Sequence, residues 1–216
     1  MAMTVTEIQT AARELYNATG DSFFSDAQIN NWLWQACHIF AKKALLIERT
    51  YTTTTVASTQ DYAYPTNTIA IKRVTYNGVK IKRITHREDD AMTLQNSAST
   101  MSGSSTYYTD FNFTLSLRPI PSSAVTLKIY SFNDAASISN TSTLEIPTLF
   151  QFDTVDYILA RMFAKDKDMG SMQLHMALWN EHVRDAIAHK ARSRRTDSFA
   201  TVQDEGTLPA TVLGES

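Results

Sequence analysis

One cysteine, Cys37, in 216 residues leaves no partner for an internal disulfide and no thiolate cluster for a metal. Such sparing use of cysteine fits a reducing compartment. Six glycines leave little room for a phosphate-cradling loop, and neither a nucleophile elbow nor a metal-spaced His/Glu pair is present. No apolar run approaches the ~20 residues that span a bilayer. The N-terminus lacks the basic-then-apolar pattern of a signal peptide, so the expectation is synthesis and assembly in a cytoplasm. Charge of either sign is also in short supply: 20 lysines and arginines stand against 22 aspartates and glutamates. That balance argues against a globally basic nucleic-acid binder and leaves local patches open. There is no internal repeat. What the chain does have is apolar mass, 43% of residues with 10 Phe, 9 Tyr and 3 Trp, enough to bury a core.

The pattern of that apolar mass changes twice. From about Thr4 to Ala18, Ile8, Ala11, Ala12 and Leu15 share a helical face, with Gly20 as a stop. Ser25, answered by Gln28, opens a second helix through a capping box, and Ile29, Trp32, Leu33, Ala36, Cys37, Phe40, Ala44 and Ile47 recur along it at helical spacing. From Tyr51 the chain turns β-branched. Asn77-Gly78 predicts a type I′ hairpin, because both residues tolerate positive φ. Val79 and Ile81 alternate with Lys80 and Lys82, one face buried and one wet. Thr85 with Glu88 predicts a second capping box and a short helix through about Leu94. The Ser-rich stretch from Asn96 to Ser105 is expected to be a mobile loop. Strands follow at about Thr106–Asp110, Phe113–Leu117 and Val125–Phe132, with Pro119 and Pro121 bounding the middle one. Pro147 starts another helix, with Phe152, Val155, Leu159, Met162 and Phe163 as its stripe. A last helix carries Met172, Met176, Trp179, Val183 and Ile187 and runs out near Arg195.

These patterns predict an α+β fold. A four-helix unit forms from the terminal helix pairs, residues 1–50 and 146–195, with a small antiparallel β domain (a sandwich or a barrel) inserted over 51–145 and an extended arm over 196–216.

Candidate chemistry is sparse. His175, His182 and His189 repeat every seven residues on the last helix, about 10.5 Å apart along its axis and too far apart to share a metal. Two readings stand: polar residues at the rim of a packed face, or a histidine ring made by symmetry copies. Asp89-Asp90 and Asp166 with Asp168 read as solvated or helix-end charge, since helix neighbours do not converge on one point. Cys37 reads as a buried structural thiol. No catalytic residue, metal site or cofactor is predicted. The basic cluster Lys190, Arg192, Arg194 and Arg195 either favours the helix dipole or docks on an acidic partner or DNA. Beyond it Phe199, Val202, Leu208, Val212 and Leu213 are spaced apolar anchors, of the kind a segment needs if it orders on a partner.

In order along the chain, Ser25-Asp26, Tyr64-Pro65, Val74 with Asn77-Gly78, Ile84-Thr85 with Glu88, Tyr107-Tyr108, Leu115-x-Leu117-x-Pro119-x-Pro121 and Ile146-Pro147 resemble the head–tail adaptors, or tail accessory factors, of short-tailed bacteriophages. The resemblance covers about Ser25 to Arg195. The Ser-rich 96–105 stretch departs from it, because relatives carry a Trp and a Gly-x-Pro there. The resemblance implies a non-enzymatic connector at the virion neck that forms a dodecameric ring. It would bind the portal through its helices and C-terminal arm, attach the tail nozzle below, and pass genomic DNA through its lumen without reading its sequence. The portal-docking residues would be Lys190, Arg192, Arg194, Arg195, Phe199, Val202, Leu208, Val212 and Leu213, and no membrane or cofactor is involved. The alternative is another tail component whose β domain binds carbohydrate or protein. An exposed cluster of Tyr107, Tyr108 and Phe111 would favour that alternative, whereas burial of those rings would favour the connector.

Overall fold

The computed structural model describes residues 2–18, 23–96 and 102–204, and side chains among them except at 92–96 and 194–204. The chain folds into two compact units, Met1–Leu46 with Ser137–Ser216, and Ile47–Ala136. Among the described residues no helix is long and apolar enough to cross a membrane.

In the first unit α1 (Val5–Leu15) opens on Thr4. The Thr4 hydroxyl accepts from the Glu7 amide at 3.2 Å while the Glu7 carboxylate accepts from the Thr4 amide at 2.7 Å, a capping box that the sequence reading does not single out. α2 (Asp26–Ala44) opens on the expected Ser25/Gln28 pair. Its Ile29, Leu33, Ala36, Cys37, Phe40 and Ala44 are all buried.

Pro147 starts a single 3-10 turn, Thr148–Phe150, rather than the helix expected there. The α-helix of this region begins only at Thr154. That offset turns Phe150 inward and leaves Phe152, expected in the stripe, 54% exposed.

The long helix of the C-terminal region, Met169–Asp204, buries Trp179, Val183 and Ala186. The spacing i, i+4, i+7 keeps the short Ala186 on the seam, and Ile187, one residue on, falls at its edge with 41% exposure. The helix continues past Arg195 because neither Gly nor Pro follows before Gly206, so residues 196–204 are helical where an extended arm is expected.

The second unit contains β1 (Glu48–Thr54), β2 (Asp61–Ala63), β3 (Thr68–Tyr76), β4 (Val79–Arg83), a helix α3 (His86–Asn96), β5 (Ser102–Gly103), β6 (Tyr107–Phe111), β7 (Thr114–Arg118), β8 (Ile120–Pro121) and β9 (Thr126–Asn133). Seven of the strands form one sheet in the order β1-β9-β3-β4-β6-β7-β2. Its two outermost strands are consecutive in the chain. The short link 55–60 therefore draws the sheet edges together, and the Val56 amide donates to the Tyr62 hydroxyl across the closing gap at 3.0 Å. Inside the curl Val74, Ile81, Leu115, Leu117, Leu127 and Ile129 form one core. This alternation was legible in the sequence.

Two pairings depart from the antiparallel expectation, and in the main sheet it is β4 and β6 that run parallel, Lys82 opposite Tyr107 and Arg83 opposite Tyr108. A parallel pair needs a crossover rather than a tight turn, and α3 supplies it. The predicted Thr85/Glu88 capping box starts that helix, and Asp89 anchors it through a bidentate pair with Arg118 at 2.7 and 3.0 Å. Asp89 is thus a buried structural carboxylate and not the solvated charge its sequence position suggests. Beside the main sheet, β5 and β8 form a short parallel pair. Residues 97–101 of the expected loop lie outside the described residues.

The β3–β4 hairpin turns on Asn77 (φ 49°) and Gly78 (φ 79°), the expected primed geometry. A Cβ on Gly78 would meet nothing within 4 Å. The cost of Gly78→Ala is therefore conformational alone, and urea denaturation should show a loss of about 1–2 kcal/mol with the far-UV spectrum unchanged.

Candidate functional site

Apart from Leu208, Val212 and Leu213, the docking candidates named by the sequence lie on the last helix of the first unit, α5 (Met169–Asp204), which packs on α4 (Thr154–Lys165). Asp168 starts α5. Its carboxylate accepts from the Gly170 and Ser171 amides, each at 3.1 Å, and from the Ser171 hydroxyl at 2.6 Å. Those bonds, the ones from Ser171 first, hold its carboxyl below the ordinary range.

The helix is then pinned along its first half. Trp179 packs edge-on against Phe40 of α2 (centroids 4.6 Å apart) and against Tyr157 of α4 (5.3 Å). His175 stacks on Phe163 at 5.4 Å, and Phe150 meets the ring of His189 at 5.5 Å. The polar half of the joint is Asp156, which accepts from His175 Nδ1 at 2.9 Å and from His182 Nε2 at 2.8 Å. Asp153 stands 3.7 Å from His182 Nδ1. Burial pushes the Asp153 carboxyl above its ordinary value while His182 pulls it down.

The histidines are therefore structural partners of α4 and of the 3-10 turn. Among the described residues no group of three or more His, Cys, Asp or Glu is placed to hold a metal. The sequence did carry a signal for this joint: Asp153 and Asp156 lie three apart on one helix, His175 and His182 seven apart on the other, so each pair falls on one face.

Beyond Ala186 the helix loses its cover. Lys190 is half-buried, and Ala191, Arg192 and Ser193 are exposed. The backbone at Arg194, Arg195, Phe199 and Val202 belongs to α5, but their side chains lie outside the described residues, as do Leu208, Val212 and Leu213 altogether. The structure thus brings Lys190 and Arg192 onto one emerging helix and leaves the rest of the predicted docking set undescribed.

Two surfaces had no sequence signal. In the first unit a cleft of about 670 Å³ lies between α2 and residues 137–141, lined by Asp26, Asn30, Asn31 and Trp34. Beside it Gln9 donates to Asn30 (2.7 Å) and to Asn140 (3.0 Å), and Asn30 in turn donates to Asn140 (2.6 Å). In the second unit the β6–β7 hairpin turns on Asn112 (φ 47°) and Phe113 (φ 59°), with Phe111 and Phe113 about 70% exposed at its tip. Strand alternation divides the predicted aromatic cluster: Tyr108 enters the core, while Tyr107 and Phe111 face outward. Their test between connector and binding module is split accordingly.

Cys37 is buried, and burial first, with Glu145 adding to it, pushes its thiol up to about 12. The unfolded thiol ionises near its ordinary 9.0 while the folded one stays neutral, so the folded state loses stability as pH rises from about 9 to about 12. Cys37→Ala should flatten part of that loss in an alkaline unfolding series. Asp156→Ala strips two histidines of their acceptor. It should lower stability by about 1–3 kcal/mol in urea and raise amide exchange along α5.

No curated protein matches the chain. The family described as SU10 adaptor protein matches residues 3–204, which takes in both units and α5 to its end. The match spans the capping boxes, the hairpin, the α3 crossover and the helical joint described above, and the chain belongs to that family, a phage head–tail adaptor family.

Proposed function

We propose that this phage adaptor is a structural connector between portal and tail. A homo-oligomeric, dodecameric ring would sit at the virion neck and extend the DNA channel toward the nozzle. The observation that carries this reading is α5 itself. Its first half is fixed by Trp179, Val183 and Ala186 and by the Asp156–histidine joint, and its second half leaves that packing with a basic stretch from Lys190 onward. A helix held at one end by that packing and running on through a basic stretch suits insertion between portal subunits, with Phe199, Val202, Leu208, Val212 and Leu213 as apolar anchors and Lys190, Arg192, Arg194 and Arg195 on acidic partner surface.

In the ring the four long helices would pack side by side as one unit, and adjacent copies would meet with little net charge to repel them. Assembly would take place in the host cytoplasm on the portal as template. No catalytic, metal or cofactor chemistry is called for. A second reading, a β unit that binds carbohydrate or protein in the tail, draws on the exposed Phe111 and Phe113.

The test is co-sedimentation with the cognate portal, followed by electron microscopy of the complex. The full chain should add a dodecameric collar. A chain lacking Thr196–Ser216 should stay folded, its helical signal reduced only by the share of residues 196–204, and lose the collar. Undiminished collar formation by the truncated chain would overturn the docking assignment. If neither chain binds portal, a screen of the β unit against host glycans tests the second reading.

A further inference from the structure

The outer face of the β1-β9-β3-β4 layer is basic by construction. On β4, Ile81 enters the core and Lys80 and Lys82 point outward. Across the sheet Thr75 pairs with Lys80 on one side and with Lys128 on the other, so two lysines flank one buried threonine. Next along β3 the alternation breaks. Counting back from buried Val74, strict period-two spacing would point Lys72 at the core and Ile71 at solvent. The pairing with β9 instead shifts register between Ile71 and Arg73, Ile71 packs on the core, and Lys72 and Arg73 are both exposed. An irregularity of this kind re-aims side chains, and here it sets two adjacent cations on the outer face.

Arg73 lies over the Tyr130 ring, 4.4 Å from its centroid. Among the described residues no carboxylate stands within ion-pair distance of Arg73, Lys80, Lys82 or Lys128. Lys72 pairs with Glu48 and Arg83 with Asp110 at the margins. A cleft of about 320 Å³ opens among the β3–β4 cations, with Ile81 and Tyr108 also in its lining.

We infer that this face binds the phosphate backbone of DNA without reading its sequence. Protein partners draw most of their binding energy from buried aromatic and apolar anchors. The ladder here presents threonines, lysines, Arg73 and Tyr130 instead, with Tyr51 on β1 and Val79 at the start of β4 as its exposed large apolar residues, while Val56, Phe111 and Phe113 lie off it. A rigid sheet with cations at alternate positions, of which Lys82 also feels the Glu88 carboxylate of α3, fits a polyanion, where charge neutralisation and counterion release supply the affinity. The inference rests on the connector reading only for where DNA is met. The binding is a property of the face itself.

Fluorescence anisotropy of a labelled duplex of arbitrary sequence, titrated with the full chain between about 50 and 200 mM salt, tests it. Four phosphate contacts predict a log Kobs against log salt slope of about −3 to −4. The double variant Lys80→Gln/Lys82→Gln should shallow it by about 2, whereas Lys43→Gln on α2 should leave it unchanged. Thermal melts of each variant verify folding, and portal co-sedimentation is read separately, so loss of one function is not mistaken for loss of the other. Absence of binding at the lowest salt, or a slope that the double variant does not move, overturns the assignment. So does equal competition by poly-glutamate at matched charge, which would make the face a dock for acidic protein.

Discussion

The ladder between β1 and β9, from Glu48 opposite Phe132 to Thr54 opposite Thr126, is the constraint on which the β unit depends. An insertion can interrupt a helical fold only if the chain enters and leaves it at neighbouring points. Here the first and last strands are direct partners, and the Asn133 amide reaches back to the Ile47 carbonyl at 2.9 Å. With those ends tied, β3 pairs on the other side of β9, and the remaining strands continue round until Tyr62 of β2 meets Val56 just after β1. The curl is a consequence of which strands must be neighbours. It gives a small sheet a closed core and leaves the wet side of β1, β9, β3 and β4 free to carry charge.

A different kind of constraint governs the helices. α5 is too polar on most of its surface to hold its place by apolar burial alone, since among its described side chains only Trp179, Val183 and Ala186 are fully covered. Asp156 supplies the rest by gathering two histidines that a heptad apart could not otherwise share a partner. Tyr157 and Arg161 extend the polar seam, the tyrosine hydroxyl donating to Gln35 at 2.9 Å and Arg161 donating to that same hydroxyl at 2.7 Å. A seam built this way fixes the rotation of α5 about its own axis, which apolar contacts alone leave loose.

Where the structure was legible from sequence, the signal was local. The Ser25/Gln28 and Thr85/Glu88 boxes and the Asn77-Gly78 turn each lie within a few residues, so local geometry settles them, whereas of the expected Val79–Ile81 face only Ile81 is buried and Val79, beside the turn, is 68% exposed. The misses share the opposite property. The parallel β4–β6 pair and the burial of Asp89 against Arg118 join distant positions that no periodicity connects, and for the bond of Asp156 to two histidines the spacing marks each face but not their meeting. Phe152 and Ile187 were misplaced by a turn of 3-10 helix and by one residue of helical phase. Among the docking residues, the composition that marks a partner-binding segment was readable, whereas Lys190 and Arg192 alone lie where their exposure is described. The β6–β7 turn falls between the strands expected at Thr106–Asp110 and Phe113–Leu117, but the exposed aromatics at its tip had no signal, since Phe113 occupies a left-handed position where glycine or asparagine is the usual choice.

The interruption of the helical unit by the β unit also has a consequence in time. Phe40 on α2 is buried against Phe150 and Trp179, and Leu33 and Ile29 are closed over by elements that follow residue 137. A ribosome that has just released α2 must still make the whole β unit before those partners exist. At ~5–20 residues per second that interval is on the order of 5–20 s. Throughout it the apolar face of α2 has only α1 for company, while the β unit, tied by its β1–β9 ladder, can close independently. During synthesis the nascent chain therefore passes through a stage in which its middle is folded and its beginning is waiting, and that stage is the one most exposed to holdase chaperones and to aggregation.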